Sequence, residues 1–462
     1  MAVPLTHLWA AALLGWAILS LAWSLDPRQG LLQTANAVTL FILYLNAHRL
    51  PVRWIAAIAA TTAAALWYVI PFGGQGNPNF ATELMLIGTP WLLILPVHRY
   101  VKAGALALIT ASILATGSNA AWPVLALAAF VPLIRRWKWT ALAMPPVLAM
   151  GVWTAWHIPM VRGAMLYRIE AIWDSLVAWT HAPLFGHGFG SFVYVYPFFQ
   201  EAHAWFWPST AIGEGFLHMG ASHNEPAQLL LEIGAVGAIL AIGLVLSLDR
   251  KPRTPEQKAA WASLGIAGVL SLYGFPLQNP QTACIVVLAL GTVAGPAIML
   301  PLRQALPVAL TVAMPPVAFL LPWLGATLMH AHFLYGEARR AWDVDPLAAW
   351  ELSQSAWRVS DLDWRIRTQV PLSLRHLFDR GVPGTPISVG EGSAELAWQV
   401  GASASPKWFP ILYFRAESLA AFGHLPEAYA IIDVLRTFRL HVDHAKFVAS
   451  FEEQWPVSPG RN

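Results

Sequence analysis

Charge is scarce in this chain. Of its 462 residues, 28 are Lys or Arg and 25 are Asp or Glu, which makes 11% charged, against about 25% in an average soluble domain. With 57% apolar residues and a mean hydropathy of +0.52, that shortage excludes an ordinary soluble globule and leaves a polytopic membrane protein. Cysteine is nearly absent. The single Cys284 lies in an apolar run, so neither a disulfide within the chain nor a cysteine-based metal site can form. No basic cluster forms on one face, which argues against nucleic acid as a partner. Residues 1–23 lack the basic start and small-residue cleavage site of a signal peptide and read as a first membrane span. Tryptophan, by contrast, is plentiful, with 24 residues, as suits a protein whose helices end at lipid–water interfaces.

A helix needs roughly 20 apolar residues to cross the hydrocarbon core. Candidate spans lie at 4–23, 31–48, 54–72, 81–97, 103–117, 120–134, 139–157, 225–247, 259–276, 281–300 and 305–329, eleven in all. Basic residues alternate with the loops: Arg49 and Arg53 follow the second span, Arg99 and Lys102 the fourth, Arg135, Arg136 and Lys138 the sixth. Arg250, Lys251, Arg253 and Lys258 follow the eighth, and Arg303 the tenth. The other loops hold almost no Lys or Arg beyond Arg28. The positive-inside rule therefore predicts a cytoplasmic N-terminus, with the long loop 158–224 and everything after the last span outside.

The expected fold is thus all-α: a transmembrane bundle over 1–330 and an outer helical domain over 331–462. In the outer domain, 333–358 and 409–439 read as paired short helices, and 371–393, rich in Pro, Gly and Ser, as loop. Gly423 would end one helix and Pro426 start the next. Small Ala416, Ala420 and Ala428 complete a pattern like one tetratricopeptide unit, or an ordinary helical hairpin.

The candidate site lies where the long loop meets the eighth span. Asn224 is a good N-cap and Pro226 is tolerated in the first turn, so a helix should begin here. Asn224, Gln228 and Glu232 fall at about 0°, 40° and 80° around it, on one face. Glu232, some two turns into the membrane, needs a polar interior or a partner. His223 sits beside the helix N-terminus, where the dipole depresses an imidazole pKa and attracts anions; a neutral imidazole there can take a proton from a hydroxyl. Upstream, Ile169, Ile172, Trp173 and Leu176 form the apolar stripe of an interfacial helix that carries Arg168. A guanidinium grips phosphate through two parallel hydrogen bonds. Plainer roles stay open: a cap for Asn224, an interhelical partner for Glu232, lipid headgroups or Asp174 for Arg168. The glycine-rich run 186–190 lacks the Lys-Ser/Thr ending of a nucleotide loop.

Several segments together carry a resemblance: Trp23-Ser24-Leu25-Asp26-Pro27, Gly76-Asn77-Pro78-Asn79-Phe80-Ala81, Arg168 through Trp173, Pro183 through Phe192, and Ser222-His223-Asn224 through Gly234. In this order, over about residues 20–300, the chain resembles the bacterial O-antigen ligase family of membrane glycosyltransferases, which includes O-linked protein glycosylation ligases. The resemblance implies transfer of a glycan from an undecaprenyl diphosphate carrier to an acceptor hydroxyl, in the inner membrane, on its periplasmic side, with no metal or other cofactor. The acceptor would be the lipid A core or a periplasmic protein. Arg168 would hold the diphosphate, and His223 would activate the acceptor or steady the leaving group, with Asn224, Gln228, Glu232 and Arg162 as further substrate contacts. Many members carry Ser-Arg-Gly before the long loop, where this chain has Ser118-Asn119-Ala120; Arg162 is the candidate replacement. Members commonly have about twelve spans, one more than here. The alternatives are a repeat-unit polymerase and a non-enzymatic transporter of lipid-linked sugars. Against the transporter, the sequence has no repeated halves of the kind transporters usually show, and it places its best polar residues on an external loop of about 65 residues.

Overall fold

The computed structural model describes residues 2–69, 78–116, 159–199, 221–294, 297–299, 326, 327, 329–379, 391–402 and 409–437, and single residues 118, 121, 124, 136, 153, 157, 449, 451, 453 and 454. The spans expected at 120–134, 139–157 and 305–329 lie, but for a few positions, outside the described residues.

A short strand, β1 (Ala2–Pro4), leads into α1 (Leu5–Ser20), α2 (Pro27–Asn46), α3 (Val52–Val69), α4 (Pro78–Ile94) and α5 (Arg99–Thr116). The segment expected as the long loop holds α6 (Pro159–His181) and α7 (Phe192–Phe199). Then follow α8 (Glu225–Leu246), α9 (Pro255–Ser271), α10 (Pro280–Thr292) and β2 (Ala297–Met299). The described architecture is helical except for one antiparallel ribbon, in which Val3 pairs with Ile298. That ribbon corrects the tenth span: expected over 281–300, the helix stops at Thr292.

Many helices start by one device. Asp26, Thr254, Asn279 and Asp345 each accept a backbone N–H of the first turn, and proline follows at the next position. At α8 the cap is Asn224, and proline comes two residues later. The cap fills an orphan donor, and proline's missing N–H costs nothing there.

Three helices among the described residues, Leu5–Trp23, Pro27–Arg49 and Glu225–Leu246, are long and apolar enough to cross a membrane; Val52–Leu66 and Pro280–Thr292 are shorter apolar helices. Leu19, Leu31, Ile239 and Leu246 on the long three are exposed. The inner contacts are close because they are made by small residues: Ala56, Ala57, Ala60 and Ala64 of α3 are buried against Leu84, Ile87 and Trp91 of α4, the mode by which helices associate in lipid. Hydroxyls add cross-helix bonds, Ser112 to the Ala64 carbonyl at 3.1 Å and Ser263 to that of Ile87 at 2.7 Å.

The basic loops among the described residues gather at one end. Arg53 pairs with Glu256 at 3.2 Å. Thr6 bonds the Ser247 carbonyl, His7 meets Tyr44, and the Asp249 N–H donates to Val293. The loops holding Asp26, Gly188 and His223 lie at the other ends of the same helices.

The outer domain has a helical stretch at 329–341 followed by α11 (Pro346–Val359), α12 (Trp364–Asp379), α13 (Glu391–Ala402), α14 (Phe409–Ala421) and α15 (Leu425–Thr437). From α11 on, each helix packs on the next. The expectation of a loop over 371–393 is corrected at both ends. α12 runs through Pro371 to Asp379, and α13 begins at Glu391; 380–390 lie outside the described residues. Proline within a helix costs one backbone bond, here offset by burial of Val370 and Leu374. The domain is docked on the bundle by Arg367, whose Nη2 donates to both oxygens of Asp26 at 3.1 and 2.7 Å. Arg28 and Asp361 pair beside it at 2.9 Å.

Candidate functional site

α8 is a broken helix. Gly234 has φ +66°, inside the left-handed region, and interrupts the hydrogen-bond ladder. Five backbone groups around the break are taken up by protein. The carbonyls of Leu231 and Glu232 accept from the N–H groups of His187 and Gly188 at 2.9 and 2.8 Å. The Ile233 carbonyl accepts from Trp16 Nε1 at 2.9 Å. The N–H groups of Ala235 and Val236 donate to Pro183 and Leu184. The glycine-rich run is therefore a re-entrant loop laid into the gap, which satisfies the rule that irregular backbone at membrane depth must be paired within the protein. A Cβ on Gly186 would come 2.4 Å from the Glu232 carbonyl oxygen, and φ there is +69°. Only glycine permits that approach.

Glu232 and Gln228 complete this clasp. Glu232 is buried and accepts from Gly190 N–H at 3.1 Å, Phe192 N–H at 3.3 Å and Gln228 Nε2 at 3.0 Å. The Gln228 carbonyl oxygen accepts from Ser222 N–H and from Gln278 Nε2. Asn224 caps α8 through Ala227 N–H at 2.8 Å and donates to the Leu272 carbonyl at 2.8 Å. The amides of Asn224 and Gln228 and the Glu232 carboxylate thus hold the helix start, the re-entrant loop and the α9–α10 turn together.

His223 sits on this platform. Its φ of +54° is the only positive value at a non-glycine among the described residues, and such a conformation costs about 1–3 kcal/mol. The surrounding turn enforces it: Ser222, fully buried, donates its hydroxyl to the Asn224 carbonyl at 2.5 Å and accepts the Asn224 N–H at 3.2 Å. The imidazole stands edge-on to Phe275, 4.9 Å between centroids, and Phe275 in turn meets Phe80 at 5.3 Å. Burial, reinforced by the positive charge of Arg168, pushes the imidazole pKa down to about 4, so His223 is neutral at pH 7.

Arg168 comes from α6, which spans 23 residues rather than the short stretch expected around it. Of the expected stripe, Ile169 and Trp173 are exposed and Ile172 and Leu176 half-buried, while Glu170, Ala171, Asp174 and Ala178 are buried. The Arg168 charge acts on three groups from separate elements: His223, Glu83 on α4 and Tyr273 after α9. Arg162, six residues earlier and half-buried, lies about 120° around the helix and exerts none of these effects. Asn119 lies outside the described residues. Its neighbour Ser118 donates to Asn79 at 2.6 Å, and Thr82 meets Thr116 at 3.0 Å, so this rim is polar.

Glu83 escaped the sequence reading. It is 3% exposed, its Oε2 has no hydrogen-bond partner, and it interacts electrostatically with both Arg168 and Glu225. Glu225 itself is held by the Ser271 hydroxyl and the Leu277 N–H, each at 2.5 Å. A lone carboxylate inside an apolar run was the available signal, since ionisable groups at such depth are rare and functional by default. The site therefore combines one guanidinium, one neutral imidazole and two acidic side chains, Glu83 and Glu225, at the end opposite the described basic loops. Among the described residues no three His, Cys, Asp or Glu side chains assemble as for a metal ion. Compared with protein-family models, curated proteins and solved structures, the chain matches none.

Proposed function

We propose that this chain is a membrane glycosyltransferase of the ligase type, with eleven spans in a bacterial inner membrane. It moves a glycan from an undecaprenyl diphosphate carrier to an acceptor hydroxyl on the periplasmic side. The observation that carries the reading is the action of the Arg168 charge on the His223 imidazole, at the end of the bundle remote from the basic loops.

In the reaction the acceptor oxygen attacks the sugar's anomeric carbon and the bond from that carbon to the diphosphate breaks. The acceptor proton goes to His223 Nδ1 or Nε2, and the electron pair leaves with the diphosphate. The leaving group is stable as an anion, so the protein's task is orientation and neutralisation of charge. Arg168 supplies the cation. Without donor, that cation helps hold His223 neutral and weakly basic. A bound diphosphate would offset the guanidinium charge and add its own, and nearby negative charge favours the imidazolium. The base thus strengthens when the donor arrives. Glu83, which interacts electrostatically with Arg168, keeps the guanidinium aimed when the site is empty.

The broken helix does not favour transport. Discontinuous helices in transporters use their freed backbone groups to bind substrate or ions, whereas those of α8 are occupied by the re-entrant loop and Trp16. The outer domain supports a protein acceptor, because stacked helix pairs offer concave surfaces to peptides. Deleting it outright would uncover the bundle surface around Asp26 and remove its partner Arg367, so point variants on its free surface are the cleaner probe.

The test is incubation of purified protein with a lipid diphosphate oligosaccharide and either lipid A core or a periplasmic protein. Release of carrier diphosphate together with glycosylated acceptor is the expected result. Carrier-linked glycan that elongates with neither acceptor present would identify a polymerase. Movement of intact donor between leaflets without release would identify a transporter.

A further inference from the structure

The outer domain contains a cavity of about 250 Å³ between α13, α14 and the turn into α15. Three buried polar atoms without a hydrogen-bond partner belong to residues that line it: Arg415 Nε, Trp398 Nε1 and Ser418 Oγ. Ser418 is only 5% exposed. Buried polar groups are paired in the great majority of cases, so three orphans around one cavity need an explanation.

Their chemistry specifies the missing group. The Arg415 guanidinium carbon lies over the Trp398 ring, 3.5 Å from its centroid. Stacking fixes the fork while leaving its edge free to donate. Guanidinium and indole only donate, and a serine hydroxyl can donate as well, so the occupant must be rich in acceptors. Among the described residues no carboxylate pairs with Arg415. Glu395, the acidic residue in the wall, instead accepts from Gln399 Nε2 at 3.1 Å. Arg415 is the one permanent cation in a wall that also holds Glu395 and His424, a balance that suits a monoanion and disfavours a phosphate dianion. Leu419 and Phe422 supply apolar wall for a short aliphatic stem.

We propose that this cavity binds a carboxylate borne on a short apolar stem, either the C-terminus of a polypeptide or a free small acid. The assignment is independent of the transfer reaction.

Calorimetric titration of the full-length protein in detergent tests it with four probes: glutarate, a pentapeptide ending in Leu with a free C-terminus, the same peptide amidated, and inorganic phosphate. Saturable binding of the free-acid peptide or of glutarate is expected, with the amidated peptide weaker by at least about tenfold. A peptide at least tenfold tighter than glutarate identifies a polypeptide terminus, and equal affinities identify a small acid. Arg415→Gln should abolish binding. Trp398→Phe keeps the ring face but removes the N–H, and Ser418→Ala removes only a hydroxyl; each should weaken binding several-fold in a folded protein. The proposal is overturned if neither acid binds saturably, if the amide binds as tightly as the acid, if phosphate displaces the carboxylate, or if all three variants bind like wild type.

Discussion

Asp26→Asn should loosen the outer domain far more than any change at the neighbouring surface pair. Asp26 and Arg367 are both about 1% exposed, and Asp26 also caps α2 through Gln29 N–H at 3.1 Å. Asn caps as well as Asp, so this substitution keeps the helix start while it removes the charge and turns one of the two oxygens that accept from Arg367 into a donor. The guanidinium, though it keeps other contacts, is then buried without that counter-charge. Breaking one side of a buried pair costs about 3–5 kcal/mol. The adjacent Arg28–Asp361 pair is 49% and 37% exposed; screening there leaves about 0–1 kcal/mol. Hydrogen exchange of amides in α12 reads the difference. At 1.4 kcal/mol per factor of ten, Asp26→Asn should speed exchange by about 10²- to 4 × 10³-fold, and Arg28→Ala by less than about fivefold. The double variant Asp26→Asn/Arg367→Met, which leaves no buried charge, should recover much of the loss. Equal exchange in Asp26→Asn and Arg28→Ala would refute the argument that the buried pair docks the domain.

Three further outcomes follow from the same geometry. Gly234→Ala places a Cβ 2.3 Å from the Leu184 carbonyl oxygen at φ +66° and should cost about 2–4 kcal/mol. Gly265→Ala in α9, with nothing within 4 Å, should be neutral or stabilising; thermal melts in detergent compare the two. His223 has its folded pKa lowered to about 4, below the ordinary value near 6.5. The unfolded chain therefore binds the extra proton first, and this residue's contribution is full above about pH 6.5 and lost as pH falls toward 4. A melting series from pH 7.5 to 4 on wild type and His223→Gln isolates it, the variant losing less on acidification. Glu83→Gln should lower transfer by about 10²-fold through a misaimed guanidinium, with membrane insertion intact and retained protein level on blots.

Local rules carried the sequence reading a long way. The Asn224 and Pro226 pair located the start of α8 to the residue, because capping is decided within one turn. Alternating basic loops predicted which helix ends lie together, because charge cannot be left in lipid. What stayed hidden depends on contacts between distant segments. Gly234 in an apolar run reads as a packing residue, and nothing near it announces that residues 183–188 will fill a break there. Asp26 and Arg367 lie 341 positions apart, and neither has a local signature beyond helix capping. Gln228 and Glu232 were rightly placed on one face, but that face meets the re-entrant loop and the α9–α10 turn. The loop expected over 371–393 was drawn from proline and glycine content, which tertiary burial of Val370 and Leu374 overrides.

The central claim is that Arg168 acts as a planar cation on the diphosphate beside a neutral His223. Its most direct test is the rate of undecaprenyl diphosphate release by Arg168→Lys, measured on purified protein with donor and acceptor in excess. Lysine keeps the charge but not the bidentate fork, so release at least about tenfold slower than wild type is predicted, with Arg168→Ala and His223→Ala slower still. Wild-type release by the alanine variants would contradict the account.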